Sequence, residues 1–413
     1  MKIGIEQDVL KMALEKGALA SLSDEAKTET SSMATLIKAV KITVDENLTI
    51  ESATQLLGTR YSIPATKEGG IDVKETGVIM VSAQELYDWV SRQAKSKIVM
   101  SLDKLEIPEM ITLDDEDDGQ NVIKKIGSLK LASRDESKTG AKWALDCYDA
   151  SQASLVDFSK KPETLFGVEA KLLKTGLKNI AFSASKKDDK HVWDGISFQT
   201  YKEKLYMLAT DCTRLAVYDL DVKNNKLDMN LLMPSVLLAS VMKIIDNASM
   251  LKFGYNKDDA RAYIFTSNMD IRFATADPSQ VSKFLPIDTI IQKDYSPFVK
   301  INKKLLSQRL MSVAMAKSSN ALLTFKEETL LLHVISESGY KPSFATVPIN
   351  KVAEEFKDVF SIGHILDVIK AITSDELEIN IPENKKSLKL TTSDNERVSY
   401  YIMTVATPLY RDQ

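Results

Sequence analysis

Three histidines and two cysteines are the whole supply of imidazole and thiol in this 413-residue chain, and their spacing builds no site. His191, His333 and His364 are far apart, and Cys147 and Cys212 are isolated. No H-E-x-x-H, paired C-x-x-C, G-x-S-x-G or Gly-rich phosphate loop is present. A metal or nucleophilic centre has no visible ligand set, and no cofactor is expected. The run Asp114 to Asp118 before Gly119 resembles the start of a calcium loop, but its twelfth position is Lys125 where a bidentate Glu is required. It reads instead as a solvated loop or insertion. Asp211 and Arg214 have the right types for acid–base work. Without a nucleophile or second base beside them, they read as an ion pair or hydrogen bond that fixes a turn after a strand. A non-catalytic protein is the expectation; an enzyme would need carboxylates or a nucleophile converging in space, which the sequence does not display.

What the chain carries instead is repetition. Ile5 is followed by Val9, Leu10 and Leu14; Val168 by Leu172, Leu173 and Leu177; Ile301 by Leu305, Leu306 and Leu310. Each copy reads as a strand end, then an apolar pair and a Leu at helical spacing. A second pattern follows each of the first: Val81 with Leu86, Trp89 and Val90; Met233 with Leu238, Val241 and Met242; Phe360 with Ile365, Val368 and Ile369. The order is the same in all three thirds, and the intervals are the size of domains rather than of solenoid repeats. The expectation is three copies of one α+β domain, over 1–160, 161–293 and 294–413, with an insertion near 111–125.

Length and composition agree. A chain of 413 residues has room for two to four domains, each with its own core. No run approaches the roughly 20 apolar residues that span a bilayer, and the start MKIGIEQDVLK lacks a signal-peptide stretch, so a cytoplasmic protein with no membrane partner is expected. Two cysteines without secretory context are expected to stay reduced.

The net charge of −4 argues against a nucleic-acid partner only if the charges are mixed evenly. They are not. On a helical wheel Leu172, Leu173, Leu177 and Ile180 gather on one side, while Lys171, Lys174 and Lys178 gather on another. Lys304 in the third copy takes the angle of Lys171, and Lys11 in the first takes that of Lys174. In the second helices Lys243 and Lys370 each stand five residues after the matching Leu238 and Ile365, with Arg92 on the exposed side of the first copy. Taken singly, each is a solvated helix face. Their recurrence at equivalent positions leaves a shared basic surface open as the other reading.

Between the helices, Ile98 to Leu102, Gly127 to Ala132, Ile196 to Thr200, Lys204 to Ala209, Ala262 to Ser267, Leu330 to Ile335, Leu377 to Ile381 and Ser387 to Thr392 read as strands bounded by turn residues. Helices packed on one side of antiparallel sheets are the expected arrangement. Ser159 to Glu163 and Gln292 to Pro297 are the expected connectors.

Three segments carry a family resemblance. LATDCTRLAVYDL, Leu208 to Leu220, resembles the A-T-D-G-H-R-L-A strand and turn of the bacterial DNA polymerase III β subunit, the sliding clamp. WDGISF at Trp193 to Phe198 is similar to the N-G-x-x-F strand before it in that family, and FLPIDTII at Phe284 to Ile291 stands where the family has F-P-D-Y and apolar residues. The threefold arrangement matches along essentially the whole chain.

The resemblance implies a DNA-clamp fold that closes a ring as a head-to-tail homodimer, with helices lining the hole and strands outside. It implies a processivity factor that encircles duplex DNA and serves a replicative polymerase, a clamp loader and other proteins carrying a clamp-binding peptide, in the cytoplasm at the nucleoid. Lys11, Arg92, Lys171, Lys174, Lys178, Lys243, Lys304 and Lys370 would then face the hole. By family position the peptide pocket would include Trp193, Thr210, Cys212, Thr213, Arg214, Leu215, Pro286, Ile290, Ile291, Ser361, His364 and the last strand Ile402, Met403, Thr404 and Val405, with Thr210 and Arg214 as polar groups at its rim. Likewise Trp143 and Leu145 on an edge strand would meet Met315 and Ala316 of a second copy. Cys212 and Thr213 replace a common Gly-His, His364 a Tyr, Trp193 a Leu and Thr404 a Pro, and the chain runs on from Thr407 to Gln413. These departures imply a different peptide or a tail that covers the pocket. A three-domain adaptor that does not encircle DNA is the alternative.

Overall fold

The computed structural model describes the chain except for 31–33, 114–120, 135–139, 153–157, 159–161, 186–193, 223–229, 257–259, 277–280, 282–283, 292–297, 336–341, 382–385 and 407–413. The acidic run, Trp193, His191, most of the first expected connector, all of the second and the tail from Thr407 lie outside the described residues.

The first third contains β1 (Lys2–Glu6), β2 (Ala39–Val44), β3 (Asn47–Ala53), β4 (Leu57–Pro64), β5 (Ile71–Glu75), β6 (Gly77–Ser82), β7 (Lys97–Leu113), β8 (Asn121–Arg134) and β9 (Lys142–Tyr148). The second contains β10 (Thr164–Glu169), β11 (Gly195–Tyr201), β12 (Lys204–Thr210), β13 (Arg214–Asp219), β14 (Asn230–Pro234), β15 (Met250–Asn256), β16 (Arg261–Phe265) and β17 (Met269–Ala274). The third contains β18 (Val299–Asn302), β19 (Asn320–Lys326), β20 (Thr329–Val334), β21 (Ser343–Pro348), β22 (Phe356–Ser361), β23 (Glu376–Asn380), β24 (Ser387–Thr391) and β25 (Val398–Met403).

Six strands run directly into helices, two in each third. β1, β10 and β18 enter Gln7–Gly17, Ala170–Ile180 and Lys303–Ala314; β6, β14 and β22 enter Ala83–Arg92, Ser235–Ile244 and Ile362–Ala371. These are the six elements that the repeated patterns predict. Their apolar residues are inside: Leu10, Leu14, Leu86, Val90, Leu173, Leu238, Leu306, Leu310, Ile365 and Val368 are all at most 2% exposed. The last residue of the strand often caps the helix. Ser82 accepts from the Glu85 amide, Asn302 from Leu305 and Ser361 from His364, which satisfies an otherwise orphaned amide in the first turn. Gly176 lets its helix lie close on the sheet, because a Cβ there would stand 2.1 Å from Met207 Cε and 2.9 Å from the Tyr218 ring.

The chain forms two compact units, Met1–Ala170 with Ser240–Ala274, and Lys171–Ala239 with Thr275–Gln413. The first holds one 13-stranded sheet in the order β10-β15-β16-β17-β4-β3-β2-β6-β9-β8-β7-β1-β5. The second holds an 8-stranded sheet, β14-β11-β12-β13-β25-β24-β23-β18, and a 4-stranded sheet, β21-β20-β19-β22. Strand pairing is antiparallel in every ladder described, and alternation of buried and solvated residues, clearest in β3, sets the faces.

The three thirds share one strand grammar. β6-β2-β3-β4, β14-β11-β12-β13 and β22-β19-β20-β21 are the same quartet, and β1-β7-β8-β9, β10-β15-β16-β17 and β18-β23-β24-β25 are a second one. The first third adds β5, the short helices Asp24–Thr28 and Ala34–Ile37, and the long β7–β8 hairpin. In that hairpin Lys104 pairs with Gly127 but Glu109 with Lys125, so a bulge pushes Leu105 and Ile107 into solvent. The expected strand from Ala262 to Ser267 stops at Phe265, because the Thr266 hydroxyl accepts from the amides of Asn268 and Met269 and turns the chain.

Candidate functional site

The turn between β12 and β13 is built around one buried cation. Asp211 Oδ1 accepts from the Thr213 amide at 3.0 Å, its hydroxyl at 2.6 Å and the Arg214 amide at 3.0 Å. Arg214, 9% exposed, donates through Nε to Asp211 Oδ2 at 2.9 Å, to Asp367 Oδ2 at 2.7 Å and to the Phe182 carbonyl at 2.8 Å, with the Phe182 ring 5.4 Å from its guanidinium. Thr210, 1% exposed, spends its hydroxyl on the Arg214 carbonyl at 2.6 Å. Burial alone would raise the Asp211 carboxyl, but hydrogen bonds from Thr213 and the charge of Arg214 outweigh it and hold it below the usual range. Asp367 is lowered in the same way, with Arg214 overcoming the cost of burial. This is the turn-fixing ion pair that the sequence predicts. Thr210 and Arg214, expected as polar groups at a pocket rim, have their polar side-chain atoms bonded inside the fold.

The other face of the same strands carries an apolar wall. Leu215 pairs with Tyr401 across β13 and β25, so the two side chains share a face, whereas Arg214 pairs with Ile402 on the opposite one. Leu215 belongs to a cluster with Leu208, Val217, Phe284 and Ile287, against which Ile290, Ile291 and Tyr401 pack half-buried. Met403, 43% exposed, falls on this face by alternation, and Leu285 and Pro286 are exposed at its margin. The result is an apolar surface with Leu285, Pro286 and Met403 exposed on it. Two expected members lie elsewhere. Ile402 is fully buried on the helix side of the sheet. Val405 packs against Leu322 and Val359 and donates its amide to the Val359 carbonyl at 2.8 Å. The sequence reading did not name Tyr401 on this face, and strand alternation from Met403 was the signal that could have found it.

The remaining expected residues surround this network. Cys212 and Thr213 are exposed at the turn, with Cys212 at φ +72. Thr404 donates its amide to the Lys386 carbonyl at 3.0 Å. Ser361 is a helix cap, and His364 lies in the first turn it caps, its pKa lowered first by burial and then by the charge of Arg214, against the opposing pull of Asp211 and Asp367.

All eight expected basic residues stand on the solvent side of their helices. Arg92, Lys171, Lys178, Lys243, Lys304 and Lys370 are exposed, and Lys11 and Lys174 are half-buried. Arg92, Lys178, Lys243 and Lys370 also occupy last turns, where a cation offsets the partial negative charge of the helix end.

Two strand edges complete the picture. β4 pairs with β17 and β13 with β25, so the last strand of one quartet twice meets the last strand of the other. The equivalent pair, β21 and β9, is left open. β21 ends the 4-stranded sheet. β9 pairs with β8 along its length but meets β6 only at Met80 and Tyr148. Trp143 on β9 is 40% exposed, and Phe344 on β21 and Met315 just after Lys303–Ala314 are 58% and 83% exposed. Ala316 is half-buried. Leu145, expected with Trp143 at the contact with a second copy, is 3% exposed and pairs with Leu129.

Among the described residues no cluster of His, Cys, Asp or Glu could hold a metal, and no helix is long and apolar enough to cross a membrane. Cys147 is buried in the core, and burial pushes its thiol up to about 12.

Paired strand quartets with two helices per repeat are the architecture of an α+β DNA clamp. The Pseudomonas aeruginosa DNA polymerase III subunit beta superimposes over 98% of this chain and 100% of its own, with a TM-score of 0.78 at 15% identity, and a Caulobacter crescentus pol III beta does so with the same TM-score and identity. Residues 167–285 match the family profile described as DNA polymerase III beta subunit, central domain. The chain is thus similar, at low identity, to these bacterial β subunits. It is 21% identical to the beta sliding clamp of Haemophilus influenzae over 54% of this chain and 60% of that one, and 21% identical to that of Staphylococcus epidermidis over 84% and 93%. The match thus spans about three fifths of the length of the Haemophilus relative, and of the Streptococcus pneumoniae clamp it spans 63%.

Proposed function

We propose that this protein is a non-catalytic sliding clamp: a head-to-tail homodimer of three-domain subunits, with domains at 1–160, 161–293 and 294–413, that encircles duplex DNA. The observation that carries this reading is the pair of unmatched edges. Two joints of one kind, β4–β17 and β13–β25, close within the chain, and the third requires β21 of one copy to meet β9 of another. A heterologous contact that closes after two copies ends assembly and covers both of these edges. Two chains then supply six repeats.

The eight helix-borne cations would face the enclosed hole. They attract phosphate without reading bases, so the ring is held but not fixed in register, and processivity comes from topology rather than from tight binding. The apolar slot at Leu215, Ile290, Ile291, Tyr401 and Met403 would take a short peptide from a replicative polymerase, a clamp loader or other DNA-processing proteins. Work on DNA would call for a protein in the cytoplasm at the nucleoid.

Reversing all eight charges, Lys11, Arg92, Lys171, Lys174, Lys178, Lys243, Lys304 and Lys370 each to Glu, tests the reading. The altered protein is expected to lose retention on circular DNA and to show a flatter salt dependence. Unchanged retention and salt slope would contradict the channel.

A further inference from the structure

The wall of the slot is hung on one buried side chain. The segment from Phe284 to Ile291 crosses the cluster without joining a sheet, so its buried backbone groups need partners from outside the ladders. Gln199 on β11, 4% exposed, provides two of them. Its Oε1 accepts the Ile287 amide at 2.8 Å, and its Nε2 donates to the Leu285 carbonyl at 3.0 Å and to Ser197 Oγ at 3.0 Å. The amide group therefore imitates a neighbouring strand, offering one acceptor and one donor to alternate backbone groups. Its orientation is fixed by chemistry, since the flipped amide would set N–H against N–H at Ile287 and oxygen against oxygen at Leu285.

We propose that Gln199 is the positioning residue of the peptide slot, holding Pro286, Ile290 and Ile291 at the distance from Leu215 and Tyr401 that a peptide side chain must fill; this rests on the slot reading above. Phe284 and Ile287 are plugged into the cluster at 3% and 4% exposure, which fixes the depth of the segment. They do not fix its path along the strand face. That is set by the two directional bonds to Gln199, one on either side of Pro286, whose own nitrogen has no hydrogen to give.

The test compares three variants of the full chain for binding of a fluorescein-labelled peptide with adjacent Leu and Phe side chains, alongside amide hydrogen exchange over 284–291. Gln199→Leu keeps the volume and removes both bonds; it is expected to weaken the peptide tenfold or more and to speed exchange at Ile287, with the dimer intact. Gln199→Glu keeps the acceptor but sets a carboxylate against the Leu285 carbonyl. Its affinity should recover as pH falls and the protonated acid donates again, a response that a merely structural defect does not give. Wild-type affinity and protection in Gln199→Leu, or a pH-independent Gln199→Glu, would overturn the inference. Met403→Asp separates the two claims. If wild-type protein does not bind the peptide, or Met403→Asp binds it unchanged, the slot reading fails, and the exchange data still decide whether Gln199 anchors the segment.

Discussion

At the scale of single residues, exposure decides which substitution reports on the slot. Leu215 is 7% exposed inside a cluster, so Leu215→Asp buries a charge and costs stability along with any binding. Met403 is 43% exposed on the same face, and Met403→Asp is expected to abolish peptide binding in a titration while leaving the thermal transition within about 2 °C, as surface changes usually do. Retained peptide binding by Met403→Asp would count against the slot. The contrast also shows how far the sequence could be read. T-D-C-T-R-L marked the right turn, but position along a motif does not say which face a side chain takes. Arg214 and Leu215 are adjacent and serve opposite sides of the sheet, and the same is true of Ile402 and Tyr401. Gln199 carried no signal at all, because its role depends on a segment more than eighty residues away in the chain.

At the scale of elements, helices were legible and joints between strands were not. Apolar spacing fixed the six helices, since a 3.6-residue period needs no partner to be recognised. Which strands pair across thirds is a long-range property, and the burial of Leu145 on β9 was not legible because an edge strand still has one face in the core. The open edges give an expectation. Burying about half of an aromatic ring, roughly 100 Å², is worth about 2.5 kcal/mol, so Trp143→Asp with Phe344→Asp should raise the dimer Kd by three orders of magnitude or more. Sedimentation should then find folded monomers; an unshifted dimer would contradict the β9–β21 contact.

Helix Ile362–Ala371 and strand β20 give a pH dependence. Burial depresses both His364 and His333 below the ordinary value of 6.5. The unfolded chain takes up these protons first as pH falls, so the stability they hold is full above the unfolded pKa and is lost on acidification below it. Asp211 and Asp367, also depressed, hold stability that is present above their unfolded value of 3.8 and lost in a separate, more acidic window. The melting temperature should therefore fall between about pH 7.5 and pH 5.5. The fall should shrink in His333→Gln with His364→Gln, and an equal fall in that variant would assign it to other groups.

For the whole molecule, three repeats make two internal joints and leave the halves of a third. The net charge of −4 conceals basic helix faces because acidic residues are spent elsewhere, as in the Arg60–Asp270 pair across the β4–β17 joint and Glu51 with Lys41 beside it. The proposed closed ring would match both edges and would gather the cations around one hole. Single-particle electron microscopy of the unaltered protein at micromolar concentration tests this most directly. The account predicts a closed ring of two copies with a central hole wide enough for duplex DNA; isolated monomers, or filaments that never close, would contradict it.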